Sequence, residues 1–401
     1  MSKLQELIDR LCPDGVSFKT LGELTHPLKK GTLKISDLIE DGEYPVVNSG
    51  RDLYGYYNDF NNEAPALTIA ARGEYAGWIS FFDEKFWAGG LCYPYKSKDE
   101  SKIATKFIYY WLKNRERDIM DNLVARGSIP ALNKADIDKY KIPVPPIEVQ
   151  EEIVRILDTF SAHAAQLQAE LQARKEQYEY YRNLLLTFRP CAGESDNGQD
   201  TDVIVWGGRS YKIVWKTMGE IGKVKMCKRI MKHQTTKDGE IPFYKIGTFG
   251  KEADAFISRE LFDEYKAKYP YPSKGTILIS AAGTIGKCVI YNGEESYYQD
   301  SNIVWLENDE TQVLNSYLFY YYQITEWDTD GGTIKRLYND KLLAASIAIP
   351  PIELQEKIVA ILDRFETLVN DLTQGLPAEI AAVKEQYEYY RDKLLTFKQI
   401  A

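Results

Sequence analysis

The chain has 401 residues and a net charge of −9, with 44% apolar and 27% charged residues. That length predicts at least two domains, and that composition is typical of a globular protein. No apolar run approaches the ~18 residues that a membrane helix needs. The N-terminal segment MSKLQELIDRLCPDG lacks the apolar core of a secretion signal. We therefore expect a cytoplasmic protein with no membrane contact.

The cysteines and histidines predict neither a disulfide framework nor a metal site. The five cysteines are odd in number and never form a C-x-x-C pair, and the three histidines are scattered. These residues are Cys12, Cys92, Cys191, Cys227, Cys288, His26, His163 and His233. Unpaired cysteines fit a reducing compartment.

The first predicted domain covers residues 1–146. Runs such as YPVVNSG, ALTIAARGEY and WISFF are rich in β-branched and aromatic residues and are separated by Gly, Asn and Asp. Such runs are typical of short strands and tight turns, and Lys102–Leu123 shows a helical pattern. The segment carries 20 basic and 21 acidic side chains, so it attracts DNA only weakly unless its basic residues are clustered.

A long helix is predicted for residues 147–188. Pro145 and Pro146 suit a helix entrance, and apolar residues then follow in steps of four and three. The predicted seam consists of Ile153, Leu157, Phe160, Leu167, Leu171, Tyr178, Tyr181 and Leu185. This spacing is typical of a coiled coil of about five heptads.

Residues 189–212 are predicted to be a linker, residues 213–349 a second mixed domain and residues 350–401 a second long helix. The second domain has similar strand runs, TILISAAGTIG and CVIYNGEE, and is also nearly neutral. The seam of the second helix includes Ile358, Leu362, Phe365, Tyr387, Tyr390 and Leu394. Four inserted residues, with Gly375 and Pro377 inside the inserted stretch, predict a kink or short break in this helix.

The second half of the chain repeats the first. PPIEVQEEIVRILDTF matches PPIELQEKIVAILDRF, VSFKTLGEL matches IVWKTMGEI, and KEQYEYYR occurs in both halves. The chain thus contains two copies of a domain-plus-helix unit. We predict an α+β fold in which two globular mixed α/β domains are joined by two long antiparallel coiled-coil helices, with a pseudo-two-fold internal repeat.

The repeated octapeptide KEQYEYYR, at Lys175–Arg182 and Lys384–Arg391, admits two interpretations. In one it is coiled-coil core with a solvated outer face, because its tyrosines fall in or beside the seam. In the other, two copies of one partner dock on it, since packing alone does not require exposed charges to match. The predicted docking residues are Lys175, Glu176, Glu179, Arg182, Lys384, Glu385, Glu388 and Arg391.

No group of titratable residues in the sequence predicts catalysis. The stretch AAGTIGKC, Ala281–Cys288, is similar to a phosphate-binding loop, but alanine and cysteine replace the required glycine and Ser/Thr. We expect a glycine-rich turn between strands there. An enzyme with an unrecognised site is an alternative, although nothing catalytic recurs in both copies.

The repeated blocks resemble those of the specificity subunits of type I restriction-modification systems. The resemblance is carried by the two PPIE-x-Q-x-x-I-V-x-I-L-D blocks, the two octapeptides, the K-T-x-G-E openings and the glycine turns ARGEYAGWI and AAGTIGKCVI. It implies that residues 1–146 and 213–349 are target-recognition domains, each reading one half of a split sequence in double-stranded DNA. It also implies that 147–188 and 350–401 are spacer helices that set the distance between the halves.

The resemblance further implies a chain that is not itself an enzyme. Its expected partners are DNA, two methyltransferase subunits and restriction subunits. S-adenosylmethionine, ATP and magnesium are expected only on those subunits, with no cofactor or metal on this chain. The alternative is a structural coiled-coil protein whose two heads bind proteins or glycans, and the near-neutral heads favour it.

Basic residues near the predicted turns are candidates for DNA contacts. The densest basic run, KVKMCKRIMK, faces either DNA or solvent. Other candidates lie in the two glycine turns or flank the equivalent G-S/T-I turns. The full set is Arg72, Arg126, Lys223, Lys225, Lys228, Arg229, Lys232, Lys287, Lys335 and Arg336. The two domains differ strongly outside the matched blocks, which predicts two different half-sites.

Overall fold

The computed structural model describes residues 3–188, 203–329 and 335–400. The chain divides into two compact units, one of Met1–Gln168 with Glu379–Ala401, the other of Ala169–Ala378. Each unit combines one globular domain with parts of the long helices. Cys191, most of the predicted linker and the start of the second G-S/T-I turn, at residues 332–334, lie outside the described residues.

The first domain alternates short strands and helices before the first long helix. Its strands are β1 (Ser17–Thr20), β2 (Thr25–Pro27), β3 (Tyr44–Val47), β4 (Gly55–Tyr57), β5 (Ala66–Ala70), β6 (Ile79–Phe82), β7 (Trp87–Ala88), β8 (Cys92–Ser97), β9 (Val124–Ala125), β10 (Ala131–Leu132) and β11 (Lys141–Val144). The helices are α1 (Lys3–Leu11), α2 (Leu21–Leu24), α3 (Thr105–Asn114), α4 (Glu116–Asn122), α5 (Lys134–Ile137) and the long α6 (Ile147–Thr187).

A four-stranded antiparallel sheet of order β2-β8-β5-β6 forms the centre of the first domain. Its strand β5, of sequence ALTIA, is buried along its whole length, including Thr68. A second sheet has the order β4-β3-β7, in which β7 runs parallel to β3. The core beside the first sheet includes Phe107 and Ile108 of α3. Strand β1 pairs with β11, so the start of the domain lies beside the strand that leads into α6.

The second domain has its own strands and helices. The strands are β12 (Val203–Trp206), β13 (Arg209–Lys212), β14 (Val214–Thr217), β15 (Lys223–Lys225), β16 (Ile241–Tyr244), β17 (Phe256–Ile257), β18 (Ile277–Ser280), β19 (Cys288–Ile290), β20 (Tyr297–Tyr298), β21 (Ile303–Glu307) and β22 (Ser346–Ile349). The helices that follow are α7 (Met218–Ile221), α8 (Arg259–Lys268), α9 (Asn315–Ile324), α10 (Asn339–Ala344), α11 (Ile352–Asn370) and α12 (Leu376–Leu394). Short 3₁₀ helices occur at Ile35–Asp37 and Lys232–Gln234.

The second domain repeats the topology of the first. Its four-stranded sheet has the order β15-β21-β18-β19, and its three-stranded sheet has the order β17-β16-β20, with β20 parallel to β16. Strand β14 pairs with β22 as β1 pairs with β11. The predicted internal repeat and α+β fold class are therefore confirmed.

In the first unit, an aromatic contact joins the two long helices. The Phe160 ring of α6 lies 5.6 Å from the Tyr390 ring of α12, nearly parallel to it, and 6.4 Å from the Tyr387 ring. Both tyrosines belong to the second octapeptide. Ring pairs at these distances add stability beyond the area that they bury.

The second unit contains the equivalent contact with the roles exchanged. The Phe365 ring of α11 lies 5.8 Å from Tyr181 and 6.4 Å from Tyr178, both in the first octapeptide. Later residues of α6 therefore contact earlier residues of the second helical segment, which is the antiparallel order. The remaining predicted seam positions Ile153, Leu157, Leu167, Ile358 and Leu362 are buried, and Leu171, Leu185 and Leu394 are half-buried.

The predicted interruption of the second helix is observed at residues 371–375, between α11 and α12. A β-carbon on Gly375 would lie 2.3 Å from the carbonyl oxygen of Thr367 and 2.7 Å from that of Leu368. Only glycine permits this close approach of the backbone to the end of α11.

Part of the predicted linker is structured. Strands β12 and β13 form a hairpin over 203–212, and Gly207 and Gly208 in its turn have φ values of +56° and +77°. Two adjacent glycines with positive φ are typical of a tight hairpin turn. Its Tyr211 joins the core of the second unit. The other proposed domain boundaries stay a prediction.

A buried glutamine fixes the first domain to α6. The Gln150 side chain is fully buried, and its Oε1 accepts a hydrogen bond from the Ala104 backbone N–H at 2.9 Å. Its Nε2 donates to the carbonyl oxygens of Lys102 at 2.9 Å and Pro145 at 2.7 Å. One side chain therefore satisfies three buried backbone groups at the junction of domain and helix.

Gln355 makes the same contacts in the second unit. Its Oε1 accepts from the Leu314 N–H at 2.9 Å, and its Nε2 donates at 2.8 Å to the carbonyl oxygens of Gln312 and Pro350. This geometry explains the glutamine in the repeated PPIE-x-Q block.

Replacing Gln150 by leucine should lower the free energy of unfolding of the first unit by about 3 kcal/mol, because three buried backbone groups lose their partner. Urea unfolding of the full chain measures this change. Gln166→Leu, at an exposed position of the same helix, is the control and should change stability by less than about 0.5 kcal/mol. Equal effects of the two substitutions would contradict the role given to Gln150.

Candidate nucleic-acid interface

Each domain carries a glycine-rich turn between two antiparallel strands. Residues 71–78 join β5 to β6, and residues 281–287 join β18 to β19. The stretch AAGTIGKC therefore leads from strand to strand, as expected, whereas a phosphate-binding loop leads into a helix. Gly77 and Gly286 occupy equivalent places with φ values of +94° and +80°.

In the first domain, the glycine turn lies beside the loop that follows Arg126. The Leu132 N–H donates to the Ala71 carbonyl at 2.9 Å, and the Gly73 N–H donates to the Pro130 carbonyl at 2.9 Å. Arg72 forms a β-bridge with the residue before Leu132. The structure thus brings two predicted segments together from positions about 55 residues apart in the sequence.

The second domain repeats this backbone arrangement. The Leu337 N–H donates to the Ala281 carbonyl at 2.9 Å, and Ala282 forms a β-bridge with Arg336. Lys335, the residue before, is exposed. The arginine lies on the glycine turn in the first domain and on the neighbouring loop in the second. The backbone frame is shared, and the charges on it differ between the two domains.

Three of the four predicted arginines are held by acidic or polar side chains. Arg72 is exposed, Arg126 pairs with Asp121 at 2.9 Å, and Arg336 donates to the Asn302 amide oxygen at 3.0 Å. Arg229 pairs at 2.7 Å with a carboxylate in the same segment as Asn302. Arg229 and Arg336, which are far apart in the sequence, therefore both contact the loop 300–302.

The basic run KVKMCKRIMK does not form one uniform charged face. Lys225 pairs with Glu307 at 3.5 Å, and the Lys228 ammonium lies 5.0 Å from the ring centroid of Tyr269. Arg229 is bound to Asp300, whose side chain is only 18% exposed. Lys223 and Lys232 are exposed. Partial neutralisation of the run weakens its non-specific attraction to DNA.

The octapeptides expose part of the predicted docking set. Lys175, Glu176, Glu179, Lys384, Glu385 and Glu388 are exposed. Arg182 and Arg391, predicted to face outward, are half-buried because each guanidinium lies over a tyrosine of its own helix, at 5.3 and 5.6 Å from the ring centroids. The middle tyrosines, Tyr180 and Tyr389, are 63% and 61% exposed, so they lie on the outer face rather than in the seam.

Sequence reasoning missed Asp300 and Asn302, the two residues that hold Arg229 and Arg336. No motif marks them, because Asp300 contacts a residue 71 positions away in the sequence and Asn302 contacts one 34 positions away. Ser301 between them has a φ of +49°, an uncommon value for a residue other than glycine. Short polar runs with such a backbone are a weak signal of a shaped loop.

Nothing in the described residues forms a group of three or more metal-binding side chains. Cys12, Cys92, Cys227 and Cys288 are unpaired thiols, and burial raises the pKa of the last three to about 12, so they are protonated at neutral pH. No helix in the described part of the chain is long and apolar enough to cross a membrane.

Comparisons with known proteins all match the chain to one family. A family model described as the type I restriction modification DNA specificity domain matches residues 13–174 and 212–382. The chain is 42% identical to a putative type I restriction enzyme specificity subunit of Haemophilus influenzae, over 95% of this chain and 96% of the relative. It is 29% identical to the specificity subunit of the Escherichia coli type I restriction enzyme EcoR124I/EcoR124II, over 99% and 97% of the two chains.

Solved structures share the fold. The S subunit of a type I restriction-modification system from M. genitalium matches with a TM-score of 0.56 and 18% identity over 94% of both chains. A chain from a structure of type I restriction-modification complex assembly and conformational transition matches with a TM-score of 0.56 and 16% identity, over 96% of this chain and 98% of that one.

Gly286→Ala should destabilise the second unit more than Gly283→Ala. Both substitutions impose a positive φ on alanine, at about 1–2 kcal/mol. A β-carbon on Gly286 would also lie 2.6 Å from the Trp327 indole nitrogen, whereas on Gly283 its nearest neighbour is Ile246 at 3.6 Å. Urea unfolding should show an additional loss of about 1–3 kcal/mol for Gly286→Ala. Equal losses would show that the indole contact does not constrain the turn.

Proposed function

This chain belongs to the family of type I restriction-modification DNA specificity subunits, and we propose that its two domains each read one half of a split DNA sequence. We call residues 1–146 and 213–349 the first and second recognition domains. The observation that carries the proposal is the shared backbone ladder between glycine turn and neighbouring loop, with Arg72 on one side of it in the first domain and Arg336 on the other side in the second. Arginines reading guanine from loops on a rigid frame supply direct base readout.

The chain is proposed to direct chemistry that other subunits perform. S-adenosylmethionine, ATP and magnesium would then bind to methyltransferase and restriction subunits rather than here. Neither copy of the repeat contains a methyltransferase or nuclease motif in its sequence. A cytoplasmic location accords with this role. The alternative of a coiled-coil protein with protein- or glycan-binding heads is not favoured, because the matched family and relatives are specificity subunits.

The outer faces of the two octapeptides are proposed to dock two methyltransferase subunits. Their exposed charges are identical in the two copies, as are the exposed middle tyrosines. Tyrosine is enriched at protein interfaces, and the rim of an interface is polar. Restriction subunits would join the resulting complex.

Arg72→Ala and Arg336→Ala should each relax recognition of a different half-site. Loss of a bidentate arginine–guanine contact costs about 1–3 kcal/mol of discrimination, which is about 5- to 150-fold. Methylation rates on duplexes that vary one half at a time, measured with the complex containing methyltransferase subunits, separate the two effects. Arg117→Ala, at a side chain that is 97% exposed on α4, is the control. If either substitution relaxed the recognition of both half-sites equally, the assignment of one half-site to each domain would be contradicted.

Charge reversal in one octapeptide should remove one methyltransferase subunit. The wild-type chain should bind two such subunits, Glu179→Lys or Glu388→Lys one, and the double variant none, because a reversed charge desolvated at an interface is strongly unfavourable. Native mass spectrometry of the co-expressed proteins counts the subunits. Glu151→Lys, an exposed position of α6 outside the octapeptide, should leave two bound. Two subunits on the double variant would exclude these docking surfaces.

A further inference from the structure

Two loops of the second recognition domain enclose a cleft of about 350 Å³ beside its glycine turn. The loop 245–251, which follows β16, forms one wall, and the turn 281–287 forms the other. Lys251, Lys287 and Thr284 are among the residues that line it, and none of the lining residues in the described part of the chain is acidic. The cleft is therefore positively charged, unlike the partly neutralised basic run.

The two walls are fixed in position by specific contacts. The Lys287 ammonium donates to the Phe249 carbonyl at 2.5 Å across the cleft. Gly250 has a φ of +68°, and a β-carbon there would lie 2.9 Å from the Lys287 nitrogen, so glycine permits this approach. The Gln299 side chain accepts from the Ile246 N–H at 2.9 Å and ties the loop to the segment after β20. The lysine of the turn is thus already oriented before any ligand binds.

Lys251 adds a charge that forms no ion pair with the described residues, although it also lines a neighbouring cleft with Glu294 and Glu295. Its side chain is exposed, and no carboxylate of the described residues lies within 4 Å of its ammonium. Lys245, at the other end of the same loop, is paired with Asp254 at 2.7 Å. The cationic side of the loop therefore faces the cleft.

The first recognition domain brings the same two segments together. There the loop 48–54 follows β3, and the Arg51 guanidinium lies 5.9 Å from the ring centroid of Tyr75 in the glycine turn 71–78. Arg72 is exposed on the same turn. A cation from this loop thus meets the glycine turn in both domains, although the positions and residue types differ.

We propose that the cleft of the second recognition domain binds a backbone phosphate of the DNA, with Lys251 and Lys287 as its cationic contacts. This inference rests on the proposed function. Contacts to phosphates position a protein on the duplex without reading its sequence, and lysine serves them as a compact point charge. Arg336 bridges to Ala282 of the same turn, so the phosphate contact would set the register of the neighbouring base contact.

Lys251→Ala tests the proposal in the complex with methyltransferase subunits. Binding to a cognate duplex and to one with an altered second half is measured by fluorescence anisotropy as a function of salt. Removing one phosphate contact should weaken both duplexes by a similar factor of about 5 to 10 at ~0.1 M salt. It should also make the slope of log affinity against log salt shallower by about 0.9 and leave the methylated sequence unchanged.

Lys237→Ala is the matched control, because this exposed lysine precedes β16 while Lys251 follows it. It should leave affinity within about twofold of the wild type. Unchanged affinity and slope for Lys251→Ala would overturn the proposal. A loss confined to the cognate duplex would also overturn it, since Lys251 would then read bases. If the wild-type complex prefers neither duplex, the proposed function fails, and the phosphate contact is judged by the salt slope alone.

Discussion

The structure depends on one reciprocal aromatic contact between its long helices. Each octapeptide supplies two tyrosines that hold a phenylalanine of the other helix, Phe160 in one unit and Phe365 in the other. Sliding either helix along its partner would separate these rings. The recurrence of these two tyrosines follows from packing, since each pair holds the phenylalanine of the other helix. Gln150 and Gln355 extend the constraint, since each fixes its recognition domain to the helix that follows.

A shared frame with different charges is the basis of the proposal that the two domains read different sequences. Both domains place the glycine turn beside the equivalent loop through a matching β-bridge and one matching backbone hydrogen bond. The side chains on that frame are not repeated, since Arg72 has Ala282 as its equivalent and Arg336 has Ala131. Backbone pairing does not depend on side-chain identity, so these loops accept substitutions that the seam and the buried glutamines do not.

Much of the fold was predictable because it depends on local periodicity. The four-three spacing of apolar residues predicted α6, and short aromatic runs between glycines predicted the strands. The inserted residues around Gly375 predicted the break in the second helix. The hairpin at 203–212 was not predicted, because a short two-stranded segment at a domain boundary has too little apolar periodicity to distinguish it from a linker. The partner of Arg336 was not predictable, because the contact joins residues that are tens of positions apart in the sequence. The half-buried state of Arg182 was not predictable either, because it depends on the side chain lying against a tyrosine of its own helix.

The most direct test of the account is the sequence that the complex methylates. The chain is co-expressed with its cognate methyltransferase subunit, and methylated positions in genomic DNA are mapped by single-molecule sequencing. The account predicts one motif with two short specific halves separated by an unspecified spacer of fixed length. A single continuous motif, a spacer of variable length, or a stable complex that methylates no defined sequence would contradict the account of a split target read by two domains.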